Sequence, residues 1–172
     1  MDAWQRLDAA TDDDAREFLL PCCGSGAWVE RMLAHRPFGS DEQLHAMARQ
    51  EWFALTPDDW REAFRHHPAI GDRASLAARF PRTAALSADE QRGVAGASDV
   101  TLDALADGNR TYEEKFGYIF IVCATGKSAD EMLALLRERL DHGPQEELLI
   151  AAGEQAKIME LRLRRLSDGS GG

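Results

Sequence analysis

Apolar positions recur at helical spacing along most of this chain. After Ser128, the residues Met132, Leu133, Leu136 and Leu140 fall three and four apart, and from Glu146 to Leu166 a second stripe runs through Leu148, Ala152, Ala156, Met159, Leu163 and Leu166. Start signals accompany the stripes. Thr56-Pro57-Asp58-Asp59 offers an N-cap, a proline at the first helical position and acids in the first turn, which predicts a helix to about Arg65. Ser40-x-x-Gln43, Ser87-x-x-Glu90 and Ser128-x-x-Glu131 each fit the capping box, in which two side chains satisfy orphan backbone donors reciprocally. Nearer the N-terminus, TDDDAREFLL and AWVERMLAHR read as helices separated by the breaker PCCGSG. One segment resists: GYIFIVCATG is rich in aromatic and β-branched residues, and propensity alone would make it a strand. A lone strand leaves its backbone groups without partners, so the expectation for Tyr118 to Cys123 is a buried, locally irregular helix. With no internal repeat, the expected fold is all-α: a single-domain multi-helix bundle over residues 1–166, followed by a disordered tail at 167–172.

Composition narrows the function. A chain of 172 residues with 44% hydrophobic content can build one domain with a real core. Its net charge of -10 repels polyphosphates, so no nucleic-acid partner is expected. No stretch approaches the roughly 18 to 20 apolar residues that cross a bilayer, and MDAWQRLDAATDDD lacks the basic-then-apolar pattern of a signal peptide. The expectation is a cytoplasmic protein without membrane contact. Three cysteines, two of them the adjacent Cys22 and Cys23, make neither a disulfide framework nor a four-cysteine zinc site, and reduced thiols are expected.

Candidate chemistry begins at RHHPAIGD, residues 65–72, where Pro68 disfavours the helical conformation for the residue before it. His67 should therefore sit at a helix end, near the negative pole of the macrodipole that favours a protonated imidazole. A directed acid or base and a simple C-terminal capping pair are both open readings of His66-His67. Metal binding fares worse, because the five histidines include no HExxH and no i, i+4 pair. In SADEQRGVAG, Ser87 and Glu90 can be nothing more than a cap, but Gln91 and the small residues behind it would let another segment approach, and a helix N-terminus can hold a carboxylate or ureido group. Arg162 has apolar neighbours Ile158, Met159 and Leu166. It can snorkel to solvent, or grip a planar, oxygen-rich ligand through two parallel hydrogen bonds.

Taken together, WVERMLAHRPF, WREAFRHHPAIGD, SADEQRGVAG, YEEKFGYIFIVCATGKSADEMLALLRERL and EQAKIMELRLRRL resemble, in order and approximate spacing, the 2-oxo-4-hydroxy-4-carboxy-5-ureidoimidazoline (OHCU) decarboxylases of purine breakdown. The resemblance implies an all-helical, cofactor-free enzyme, usually a homodimer, acting on a small-molecule substrate. It implies a catalytic role for His67 with Pro68 beside the substrate, and it maps the pocket-lining Ser-x-x-Glu-Gln motif onto Ser87, Glu90 and Gln91; in the reaction expected of such a site, Glu90 orients the substrate hydroxyl or shares the acid/base work. Backbone contacts to the substrate fall on Phe120, Ile121, Val122, Cys123 and Ala124, and the arginine of the last helix's Leu-Arg-Leu is Arg162. An adjacent C=N in such a substrate takes up the electron pair left by carbon dioxide, so none of the three lysines has to form a Schiff base and no metal is implied. A sensor that binds a ureide without turning it over is the rival from another class.

Overall fold

The computed structural model of the chain describes residues 1–67 and 88–167, and their side chains except those of 88–98. Eight α-helices, and no strand, appear among the described residues: α1 (Ala3–Ala9), α2 (Asp12–Leu19), α3 (Gly26–Ala34), α4 (Asp41–Phe53), α5 (Pro57–Arg65), α6 (Ala88–Phe116), α7 (Ala129–Leu140) and α8 (Pro144–Ser167). The expected capping serine Ser87 and residues 168–172 of the expected tail lie outside the described residues. None of the described helices is long and apolar enough to cross a membrane.

The start signals operate as hydrogen bonds. Ser40 Oγ accepts from the Gln43 N–H at 3.1 Å, Ser128 Oγ from the Glu131 N–H at 3.1 Å, and Thr56 and Asp59 close a reciprocal box at the head of α5. A further helix, α1, opens where the Asp2 N–H meets Gln5 Oε1 at 3.0 Å.

The chain divides into two compact units. One comprises residues 1–67 together with 148–172, and the other residues 68–147. In the first, Leu7, Leu19, Trp28, Met32, Leu44, Trp52, Phe64, Met159 and Leu163 are fully buried. Buried indoles need a partner for their N–H. Trp28 Nε1 donates to Ala48 O at 3.0 Å, Trp60 Nε1 to Trp52 O at 2.8 Å, and Trp52 Nε1 to Ala152 O at 2.8 Å. The last bond ties α4 to the middle of α8, where Ala151, Ala152 and Ala156 leave room for a bulky ring.

In the second unit α6 packs on α7, and closely: a Cβ built on Gly108 would meet Leu136 Cδ2 at 2.6 Å. Met132, Leu133 and Leu136 face this contact as buried residues. The segment from Tyr118 to Cys123 departs from expectation, being neither helix nor strand. Gly117, at φ +84°, takes a left-handed turn that ends α6, a conformation glycine adopts without cost. The extended chain beyond it finds hydrogen-bond donors in side chains instead of a ladder. Arg139 Nη1 donates to Ile121 O and Lys127 Nζ to Cys123 O at 2.7 Å.

Candidate active site

In the first unit the end of α5, the turn after α2 and the last turns of α8 enclose a hollow of about 260 Å³. His66 closes α5 as its C-cap, and the His67 N–H donates to Phe64 O at 3.2 Å, so the imidazole of His67 leaves the helix at its carbonyl end. Both histidines line the hollow. Arg162 enters from α8, partly exposed, with Nη1 donating to Pro21 O at 3.0 Å. His67 and Arg162, far apart in sequence, thus line one hollow.

The opposite wall is built from the breaker PCCGSG. A Cβ on Gly24 would fall 2.5 Å from both Cβ and Cγ of His66, so only glycine lets this turn lie against the histidine. Beside it, Cys22 and Cys23 are buried free thiols. Burial pushes each thiol from 9.0 up to about 12, with the nearby Arg162 charge opposing the rise in both. Neutral, buried thiols of this kind are poor nucleophiles.

One participant escaped the reading of the sequence. Gln155, fully buried on α8, places Oε1 in hydrogen-bonding contact with His67 Nε2. Its Nε2 is buried with no hydrogen-bond partner among the described residues. The available signal was its register: Glu147, Ala151, Gln155, Met159 and Leu163 form one i+4 row of α8, and every member is fully buried. A polar residue inside such a row has a specific partner far more often than not.

The segment Phe120 to Ala124 lies in the second unit. Its conformation is held by a buried network that the sequence did not advertise. Arg139, 4% exposed, stacks its guanidinium 4.6 Å from the Phe120 ring while donating to Ile121 O. The same side chain pairs with the fully buried Glu147, Nε to Oε1 at 2.6 Å. Glu147 also accepts from the Tyr112 hydroxyl at 2.5 Å and meets His142 Nδ1 at 3.0 Å. Burial, then the bond to Glu147, drives the Tyr112 phenol far above its ordinary range, so it remains a donor. Ile121, Val122 and Cys123 are buried, and Phe120 and Ala124 are partly exposed.

Of the remaining candidates, Glu90 and Gln91 fall in the first turn of α6, and their side chains lie outside the described residues, as do Pro68 and Ser87 altogether. Among the described residues no group of three or more His, Cys, Asp or Glu could hold a metal ion.

A helical chain whose histidine and arginine meet in one hollow invites comparison with helical lyases, and the comparison is direct. The family model for OHCU decarboxylase matches residues 8–164, and the chain belongs to that family. It is 40% identical over 146 residues to the uric acid degradation bifunctional protein TTL of Arabidopsis thaliana, covering 84% of this chain and 45% of that protein. The chain thus spans less than half the length of that relative. It is 28% identical over 168 residues to the 2-oxo-4-hydroxy-4-carboxy-5-ureidoimidazoline decarboxylase of Haloferax volcanii, covering 92% of each. A crystal structure of OHCU decarboxylase in the presence of (S)-allantoin superposes with a TM-score of 0.70 at 37% identity, covering 91% of this chain and 98% of that one.

Proposed function

We propose that this chain decarboxylates 2-oxo-4-hydroxy-4-carboxy-5-ureidoimidazoline to (S)-allantoin in urate degradation, without a cofactor. The observation that carries the reading is the shared hollow of His67 and Arg162, in a chain of the OHCU decarboxylase family. The substrate bears a hydroxyl and a carboxylate on one ring carbon next to a C=N bond. Breaking the bond from that carbon to the carboxylate releases carbon dioxide, and its electron pair moves into the C=N. The resulting enol-like intermediate then takes a proton on one face, which sets the configuration of the product.

His67 acts on the reacting carboxylate and hydroxyl and manages the proton, while Glu90 orients the hydroxyl or shares the acid/base work. Arg162 grips the planar oxygen-rich end of the ligand as its geometry favours. Pro68, Ser87, Gln91 and the backbone of Phe120 to Ala124 complete the binding residues and hold the ring so that one face meets the donor. The working protein is a cytoplasmic homodimer.

The test generates the short-lived substrate in situ from urate with the two preceding enzymes and follows its ultraviolet decay and the optical activity of the allantoin formed. The wild type speeds the decay and gives one enantiomer. His67→Ala, still helical by circular dichroism, loses about 10²- to 10⁴-fold in rate, the usual share of a positioned acid or base. An unchanged decay and racemic product with the wild type would leave a ureide-binding module as the surviving reading.

A further inference from the structure

The hydrogen bond between Gln155 and His67 has a chemical consequence. Gln155 Oε1, a carbonyl oxygen, has lone pairs and no hydrogen, so whatever hydrogen lies between it and His67 Nε2 belongs to the ring. Within the reading of the chain as an OHCU decarboxylase, we infer that Gln155 is a positioning residue that fixes neutral His67 as its Nε2–H tautomer and leaves Nδ1 as the nitrogen through which the reaction's proton passes.

Three observations support this. Gln155 is fully buried, so water does not compete for its carbonyl. Its backbone lies in the middle of α8, where Trp52 bonds to the carbonyl of Ala152 and Ala156 packs with no exposure, so the amide is carried on a rigid support. The other end of the amide has no oxygen or nitrogen partner among the described residues and faces only the weakly accepting sulfur of Cys23. A buried amide that leaves two hydrogens without an oxygen or nitrogen acceptor is costly, and a leucine of similar size would not incur that cost. What the glutamine adds over leucine here is the bond to the imidazole. A ring held through one nitrogen presents the other in a fixed direction, as a general acid or base requires.

The experiment is a two-bond ¹H–¹⁵N spectrum of histidine-labelled full-length protein above the titration range of His67, with His67→Gln identifying the resonances. The expected spectrum has protonated Nε2 and bare Nδ1. Gln155→Leu, judged folded by circular dichroism, should lose that preference and lower kcat on the order of tenfold to a hundredfold with KM changed less than about threefold. Gln155→Glu, which keeps an acceptor at the same reach, should retain the tautomer and stay nearer to wild-type kcat than the leucine variant. A wild-type ring with bare Nε2, or a leucine variant with the original tautomer and kcat, would overturn the inference. Because the wild-type spectrum is read without substrate, it stands even if a substituted protein fails to fold. A protein with the expected tautomer but no decarboxylase activity would instead overturn the proposed function.

Discussion

Glu147 and Gln155 stand eight residues apart on one buried row of α8, and the two sites handle polarity in opposite ways. Glu147 is a charge with a complete set of partners: Tyr112, Arg139 and His142 reach its two oxygens. Gln155 is neutral and incompletely satisfied, its Oε1 bonded to His67 and its amide nitrogen left with no oxygen or nitrogen acceptor among the described residues. A complete network gives shape to what surrounds it, here the segment Phe120 to Ala124. An incomplete one persists where it serves something other than stability.

The contrast can be broken first at its charged end. Arg139→Met leaves Glu147 buried without its guanidinium partner, and should cost about 3 to 5 kcal/mol in denaturant-induced unfolding. A loss under 1 kcal/mol would mean that the guanidinium does not carry the network. At the other end, Gly24→Ala drives a methyl group into His66 and should cost about 1 to 3 kcal/mol, with a fall in kcat as the neighbouring His67 shifts. An alanine variant of wild-type stability and rate would show that the turn yields freely. The buried thiols offer a pH probe. Cys22 and Cys23 titrate at about 12 when folded and near 9.0 when unfolded, so the unfolded chain loses its protons first. The stabilisation is therefore complete below pH 9 and declines as pH rises toward 12, by roughly 1.4 kcal/mol per pH unit for each thiol. Replacing both with alanine should flatten that slope in urea melts at pH 9 to 11, whatever it does to stability at neutral pH. The smallest expected effect belongs to Gln155→Leu, whose unfolding free energy should stay within about 1 kcal/mol of wild type while activity drops. A large destabilisation would make Gln155 a second Glu147.

Much of the architecture could be read from residue pattern, and for a local reason. Caps act over three residues, so Thr56 with Asp59 and Ser128 with Glu131 announce helices without reference to anything distant. His67 and Arg162 carry local signals too, a flanking proline and apolar neighbours, and the family resemblance links the two. Other features were not local. The pattern predicts an irregular helix from Tyr118 to Cys123 because a lone strand lacks partners, whereas the partners are the side chains of Arg139 and Lys127. Arg139 itself sits in a sequence dense with charges, LLRERL, where nothing distinguishes the buried arginine from the exposed Arg137. Gln155 and Glu147 interrupt the apolar spacing of α8, and interruptions read as the solvent side until a partner is seen across from them.

Gln155 and Arg162 are also seven residues apart on α8, two turns of one continuous rod, which separates them by about 10 Å along its axis and returns them to nearly the same side. On the proposed roles, the helix would work as a gauge between the residue that steadies the imidazole and the residue that holds the ligand's oxygens. Adding or removing a single residue between them would swing one away from the other by about 100°, so homologous chains should tolerate exchange of side chains in this stretch far more readily than any change in its length.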